Sequence, residues 1–328
     1  MADRIRDARG RNIDYARISV TDRCNLRCVY CMPEGGVRSL AHEDIMRYED
    51  ILLLCSVLSG LGVRKIRFTG GEPLVRKGLI PFLLDFKSSF PDISLSLTTN
   101  ATLLGGYSGE LALAGLSGIN ISLDTLDPEK FRSITRVGDI SSLFAGIAAA
   151  VDAGIQNIKT NTVLMRGFND DELTGILSRA WSMGILPRLI EFMPLGDDVW
   201  RSEMFIGADE ILERLTERYG ELRPVEIGDS GTYPRGPAKY YTNAFNQTVG
   251  IIAAVSNHFC STCNRLRVTA SGHLRSCLFS KCETPLIELL RSGDSASVKE
   301  AILDGINAKP VWWEQERDGL LQMSNIGG

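Results

Sequence analysis

Residues Ser19–Pro33 read SVTDRCNLRCVYCMP, with Cys24, Cys28 and Cys31 spaced as C-x3-C-x2-C. A strand-like run, Ala16–Val20, leads into them. Three thiolates on one short loop make a soft-metal site. Four cysteines would fill a tetrahedral zinc site or cap every iron of a cubane cluster. Three leave one iron of such a cluster open to an outside ligand, which turns an electron carrier into a catalyst. The simpler readings are a zinc loop, a disulfide or ordinary buried cysteines.

The flanking residues favour the cluster. Asp22-Arg23 before the first cysteine, Tyr30 before the third and Met32-Pro33 after it resemble the radical S-adenosylmethionine (SAM) superfamily. Composition agrees with such an enzyme. A chain of 328 residues buries a large core, and 44% hydrophobic with 23% charged residues is globular usage. Its 36 basic and 40 acidic residues give a net charge of −4, which argues against a general nucleic-acid binder but leaves room for a local anion pocket. No apolar run of about 18 residues suggests a membrane span. The charged start, MADRIRDARGRNIDY, lacks a signal core, so a cytoplasmic protein is expected. Eight cysteines there point to metal rather than disulfides.

Short β-like runs alternate with helix-like runs. The strands are expected at Ala16–Val20, Lys65–Thr69, Ser94–Thr98, Ile119–Leu123, Ile158–Val163 and Arg188–Phe192. Helices are expected at Glu49–Leu61, Ile80–Ser89, Gly109–Ala114, Ser142–Ala153, Asp171–Met183 and Ala208–Tyr219, with Ser142, Asp171 and Asp209 as caps or first-turn acids. Six such units in series imply a parallel sheet. The expected fold is α/β, an incomplete (βα)6 barrel over residues 1–219. Residues 220–328 form an extension of short antiparallel strands, such as Ala238–Tyr241 and Val249–Ile252, that carries a second metal site and closes the barrel. A doubly wound open sheet is the alternative.

The strands carry a second signal. Lys65, Arg67 and Thr69 alternate with Ile66 and Phe68, and Asn120, Ser122, Lys159 and Asn161 alternate likewise with apolar neighbours. Alternation puts the polar set on one face, toward the lumen. Buried unpaired cations are costly. A lumen with Arg17, Arg67, Lys159 and Arg188 therefore requires either an internal acid network through Asp124 and Glu191 or a bound polyanion.

Gly70-Gly71-Glu72-Pro73 follows the second strand, at the end where barrel sites are built. It resembles the GGEP motif of radical SAM enzymes, whose backbone meets the SAM amino group. Thr98-Thr99-Asn100, Ser122-Leu123-Asp124 and Glu191-Phe192-Met193-Pro194 end later strands at the same rim. Beyond residue 220, Gly and Pro break the chain into turns, and Cys260, Cys263 and Cys277 form a second set, C-x2-C-x13-C. Zinc with Cys282 as a fourth ligand is one reading; a second open cluster is the other. Cys55 sits in an apolar helical run and reads as core.

The two triads, with Arg265-Leu266-Arg267 between the last two ligands, resemble the GTP 3′,8-cyclase family of molybdenum cofactor biosynthesis over nearly the whole chain. The resemblance implies two [4Fe–4S] clusters, the first on Cys24, Cys28 and Cys31 and the second on Cys260, Cys263 and Cys277. It implies SAM contacts at Tyr30, Gly71, Ser122 and Met193. GTP contacts fall at Arg17, Arg67, Thr98, Lys159, Arg265, Leu266 and Arg267, with Lys65 and Arg188 as further pocket residues and Arg17, Arg265 and Arg267 as catalytic. The implied reaction cleaves SAM to methionine and a 5′-deoxyadenosyl radical, which takes hydrogen from C3′ of GTP before C3′ adds to C8 of guanine. A flavodoxin- or ferredoxin-like reductant, a downstream cyclic pyranopterin monophosphate synthase and a homodimer are implied by the family; no nucleic acid or membrane is. Ala101 stands where the family more usually has Gly. The terminal Gly327-Gly328 is implied to reach the pocket. Two rivals differ in class: a peptide-modifying radical SAM enzyme, which usually carries a longer downstream cysteine series, and a nucleotide-binding zinc protein without SAM chemistry.

Overall fold

The computed structural model describes residues 5–32, 35, 39–195, 200–225, 236–280 and 282–313. Six strands run parallel and neighbour one another in chain order: β1 (Tyr15–Ser19), β2 (Lys65–Thr69), β3 (Ser94–Thr99), β4 (Gly118–Ser122), β5 (Ile158–Leu164) and β6 (Leu186–Glu191). The helices are α1 (Tyr48–Gly60), α2 (Leu79–Ser89), α3 (Ser108–Leu113), α4 (Pro128–Thr135), α5 (Ile140–Asp152), α6 (Leu173–Ser182) and α7 (Ala208–Tyr219). The expected elements are present, with ends moved by a residue or two.

Binary patterning builds the barrel. In β2, Ile66 and Phe68 are fully buried on the helix side, and Phe68 meets Phe82 and Phe86 of α2 edge-on. Burying one such side chain contributes roughly 1.5–3 kcal/mol. In α1, Ile51, Leu54, Cys55 and Leu58 form the i, i+3, i+4, i+7 stripe that faces the sheet. Cys55 is thus core, as expected.

Helix α4 was not anticipated, although Asp127-Pro128 announces it. Asp127 accepts from the N–H groups of Glu129 and Lys130, and Pro128 occupies a first-turn position where no N–H is needed. Ser142 is not the cap of α5. That role belongs to Asp139, which accepts from Ser141 N–H, because the helix begins two residues earlier than the apolar stripe suggests. Asp171 lies in a 3-10 turn ahead of α6, and Asp209 is a first-turn acid of α7.

The extension contains β7 (Arg223–Val225), β8 (Lys239–Thr242), β9 (Thr248–Ile252), β10 (Arg265–Val268), β11 (His273–Arg275), β12 (Thr284–Pro285), α8 (Ile287–Ser292) and α9 (Ser295–Asn307). Both β7-β8-β9 and β10-β11-β12 are antiparallel within themselves. Each run attaches to the barrel by a parallel ladder. Strand β9 joins β6 in parallel, and β10 joins β1 in parallel. The extension therefore lengthens the barrel wall at both edges, and among the described residues no ladder closes β9 on β10. The boundary expected after residue 219 falls between α7 and β7, yet Leu266, Val268, Leu290 and Ile302 share one core with α1 and α2. Gly228, Gly231 and Pro234, read above as turn residues, lie outside the described residues, as does the Gly327-Gly328 tail. Among the described residues no single helix is long and apolar enough to cross a membrane.

Candidate active site

The strand register stacks the polar lumen in levels. Arg265, Tyr15, Lys65 and Ser94 stand abreast on β10, β1, β2 and β3. One level higher stand Arg267, Arg17, Arg67 and Ser96. Farther round the wall Asn120 faces Lys159, and Asn161 faces Arg188. All of these but Ser94 and Ser96 line a cavity of about 320 Å³, within the range of small-molecule sites.

Both cysteine sets open into this cavity. Cys24, Cys28 and Cys31 line it from one side, and Cys260, Cys263 and Cys277 from the other. Cys282 is exposed and is not among the lining residues, so the four-cysteine zinc reading loses its fourth ligand. Among the described residues no three Cys, His, Asp or Glu side chains converge closely enough to hold one metal ion. Each set brings three thiols to the cavity wall, the donor type that a thiolate-bound cluster would use. None of the eight cysteines is in a disulfide. Burial would raise the Cys263 thiol, but Arg265 and Lys309 beside it bring it down to about 6, which favours the ligating thiolate.

The first loop is held by backbone and by α4. Arg27 N–H donates to Thr135 O at 3.0 Å and Val29 N–H to Ile134 O at 2.9 Å. Arg136, at φ 63°, sends its guanidinium to the carbonyls of Arg27 and Met32. Gly71 N–H donates to Thr21 O and Glu72 N–H to Arg23 O, both at 2.9 Å. A Cβ on Gly70 would lie 2.5 Å from Thr21 O, and one on Gly71 2.4 Å from Arg23 O. The two glycines are therefore dictated first by close docking of the cysteine loop. Glu72 accepts from Leu74 N–H, Asn100 N–H and the Thr99 hydroxyl, joining the rims of β2 and β3; burial pushes its carboxyl up to about 7.

The internal acids do not serve the lumen cations. Asp124 accepts from the Tyr30 hydroxyl at 2.5 Å and from Val163 N–H at 2.8 Å. Glu191 accepts from the N–H groups of Ala208, Val255 and Ser256 and from the Ser256 hydroxyl. Meanwhile Arg188 Nε and Nη2, Thr98 Oγ1 and Asn161 Oδ1 are buried with no hydrogen-bond partner among the described residues. Such orphaned groups are costly unless a ligand meets them. Burial, then Arg188, Lys65 and Arg67, lowers the Lys159 ammonium to about 7. Burial and the surrounding cations likewise lower Arg267 well below its usual range. The lumen thus concentrates buried cations.

Relatives fit this geometry. Residues 18–180 match the model of the radical SAM superfamily, and residues 186–314 that of Molybdenum Cofactor Synthesis C. GTP 3′,8-cyclase of Thermodesulfovibrio yellowstonii is 44% identical across 99% of this chain and 100% of its own length. The protein of the same name from Heliobacterium modesticaldum is 43% identical across 98% of this chain and 99% of its own. The chain belongs to the GTP 3′,8-cyclase family. The fold agrees: the solved structure of Streptococcus suis SuiB bound to S-adenosylmethionine matches with a TM-score of 0.62 at 13% identity, covering 90% of this chain and 68% of that one.

Of the expected contacts, Tyr30, Gly71, Ser122, Met193, Arg17, Arg67, Thr98, Lys159, Arg265 and Arg267 all line the cavity, and Lys65 and Arg188 join them. Leu266 does not. Its side chain is fully buried in the core, because alternation along β10 turns it away from the lumen. Three cavity-linked residues escaped the sequence reading. Tyr15 accepts from Arg67 Nε at 2.7 Å; burial would raise its phenol, but Arg67, Arg17 and Lys65 pull it down to about 7. Lys309 donates to Arg265 O at 2.9 Å and also to Ser276 O, bracing the second loop. Arg11 ties Cys260 O to the carbonyls of Lys309 and Pro310. Alternation along β1 could have found Tyr15, which shares a face with Arg17; Arg11 and Lys309 carry no local signal.

Proposed function

We propose that this chain converts GTP to (8S)-3′,8-cyclo-7,8-dihydroguanosine 5′-triphosphate, the first step of molybdenum cofactor biosynthesis. One observation carries the reading beyond family membership. A cationic lumen, whose nearest buried acids are committed elsewhere, lies between two cysteine loops.

Cys24, Cys28 and Cys31 would hold a [4Fe–4S] cluster with an open iron for SAM, and Cys260, Cys263 and Cys277 a second one facing the substrate base. When bound and given one electron, the first cluster and SAM supply a 5′-deoxyadenosyl radical that takes hydrogen from C3′ of GTP. The chain's own work is binding and orientation. Tyr30, held by Asp124, lies in the SAM-side wall with Gly71, Ser122 and Met193. Arg17, Arg67, Lys159 and Arg188, with Lys65, hold the triphosphate, and Thr98 and Asn161 offer hydroxyl and amide groups to the nucleotide. Arg265 and Arg267 reach in from β10 and are assigned to substrate and catalysis. The pocket also excludes water and oxygen from a reactive carbon centre.

The reading brings a flavodoxin- or ferredoxin-like reductant, a downstream cyclic pyranopterin monophosphate synthase, a cytoplasmic location and a homodimer. Its test is anaerobic. Iron and sulfide are restored, SAM and a strong reductant are added, and 5′-deoxyadenosine is quantified with and without GTP. GTP-dependent formation with matching loss of GTP is expected. Formation regardless of GTP would remove the substrate assignment.

A further inference from the structure

Lys309 is a buried side chain, 5% exposed, that reaches the cavity wall beside the second cysteine set. Its ammonium donates to the Arg265 carbonyl at 2.9 Å and to the Ser276 carbonyl. Arg265 stands two residues after Cys263, and Ser276 immediately precedes Cys277. One side chain thus spans the two segments that carry those cysteines. The chain around Lys309 secures the third. Arg11 joins the carbonyls of Lys309 and Pro310 to that of Cys260. The Trp313 backbone hydrogen-bonds the Cys260 thiol, and the Trp313 ring stacks on Phe279 with centroids 4.5 Å apart.

Bracing two carbonyls does not require a charge, and a buried charge is costly unless something balances it. Among the described residues no carboxylate pairs with Lys309. Arg11 and Arg265 repel it, and Arg11 is itself matched by Asp7 at 2.5 Å. The groups that favour its charge are the thiols of Cys263 and Cys277 in their anionic form. An ammonium has three donors, and carbonyls take two of them here. One remains, on a side chain that shares the cavity wall with both cysteines.

We propose that Lys309 is the counter-charge of the second cluster, a positioning residue that raises the reduction potential of the centre held by Cys260, Cys263 and Cys277. The proposal rests on the two-cluster reading above. Three thiolates leave a [4Fe–4S] centre with net negative charge, and its reduction adds one electron from an external reductant while no bond forms or breaks. A fixed cation at short range in a buried site favours the more negative state.

The test is a dithionite titration followed by electron paramagnetic resonance. It uses the full chain carrying Cys24→Ala, Cys28→Ala and Cys31→Ala, so that any cluster signal belongs to the second set. Lys309→Met removes the charge at similar length, Lys309→Gln keeps a donor without the charge, and Lys309→Arg keeps both. The two neutral variants are expected to lower the ratio of reduced to oxidised cluster about tenfold at fixed potential, a negative shift of about 59 mV. Lys309→Arg is expected to stay near the parent value. An unchanged potential in both neutral variants would overturn the proposal and leave Lys309 a brace. Where neither neutral variant retains iron, the arginine variant decides: iron retained by it alone upholds the need for charge, and iron lost from all three makes the role one of packing. A triple-alanine parent that takes up no iron would strike the second cluster itself, and is visible before any Lys309 variant is made.

Discussion

Arg17 of β1 stands directly beside Arg267 of β10 on one side and Arg67 of β2 on the other, in two parallel ladders. Three arginines on one lumen level repel one another, and burial strengthens the repulsion. Arg267→Ala is therefore expected to act oppositely on two quantities. GTP affinity falls about 10–100-fold, as loss of a charge-assisted contact of roughly 1.5–3 kcal/mol requires. The melting temperature of the nucleotide-free protein stays level or rises. Calorimetry with and without GTP checks both; parallel loss of stability and binding would make Arg267 a structural residue.

The pH dependence has a definite sign. Lys159, lowered to about 7 by burial and its cationic neighbours, is charged below that pH and neutral above it. Tyr15, brought to about 7 against its burial by Arg67, Arg17 and Lys65, becomes anionic over the same interval. Both changes weaken an anion site as pH rises. GTP affinity is expected to fall from pH 6 to about 8.5, and binding near pH 7.5 to take up protons. Titrations in buffers of different ionisation enthalpy measure the uptake. Lys159→Arg, whose charge does not titrate there, should flatten the profile, and Tyr15→Phe should flatten it in part while loosening Arg67.

Gly71 is fixed by Arg23, whose carbonyl lies 2.4 Å from where a Cβ would go. Gly71→Ala must push the first cysteine loop off the β2 rim. Such overpacking costs about 1–3 kcal/mol. The expected readout is lower iron recovery at the first site and weaker SAM binding, with GTP binding largely kept.

Cys277 and Cys282 lie close in sequence but differ in place, one lining the cavity and the other exposed and outside its lining. If each cysteine set holds one cluster, as proposed, Cys277→Ser is expected to lose about half of the reconstituted iron. Cys282→Ser should retain all of it. Iron loss on changing Cys282 would restore a four-cysteine site.

Ala101 adopts φ 63° at the turn after β3, a left-handed conformation that suits glycine. The family's more usual glycine is thus explained by backbone rather than by chemistry. Ala101→Gly relieves the left-handed cost but gives up a buried methyl and gains unfolded-state freedom, so stability should move by less than about 1 kcal/mol. Ala101→Val, a branched residue in the same conformation, is expected to cost about 3 kcal/mol by denaturant melting.

The fold was legible because β2, β4 and β5 each write the lumen and the helix face in alternate residues, and because local apolar stripes mark the helices. The site was legible where spacing is local, as in Cys24, Cys28 and Cys31. Leu266 differs from its neighbours in that motif, since strand alternation turns its side chain into the core. The site was invisible at Arg11 and Lys309, since nothing near either residue indicates that they meet behind Cys260. The parallel attachment of β9 and β10 was hidden for a similar reason: short strands do not declare their partners.

On the proposed function, this lumen presents the ribose of GTP for hydrogen abstraction at C3′. The most direct measurement uses GTP carrying deuterium at C3′ with the reconstituted protein, SAM and reductant, and reads the 5′-deoxyadenosine by mass spectrometry. One deuterium is expected to be transferred per deoxyadenosine formed with the cyclised product. Deoxyadenosine without deuterium, accompanied by loss of GTP, would contradict it.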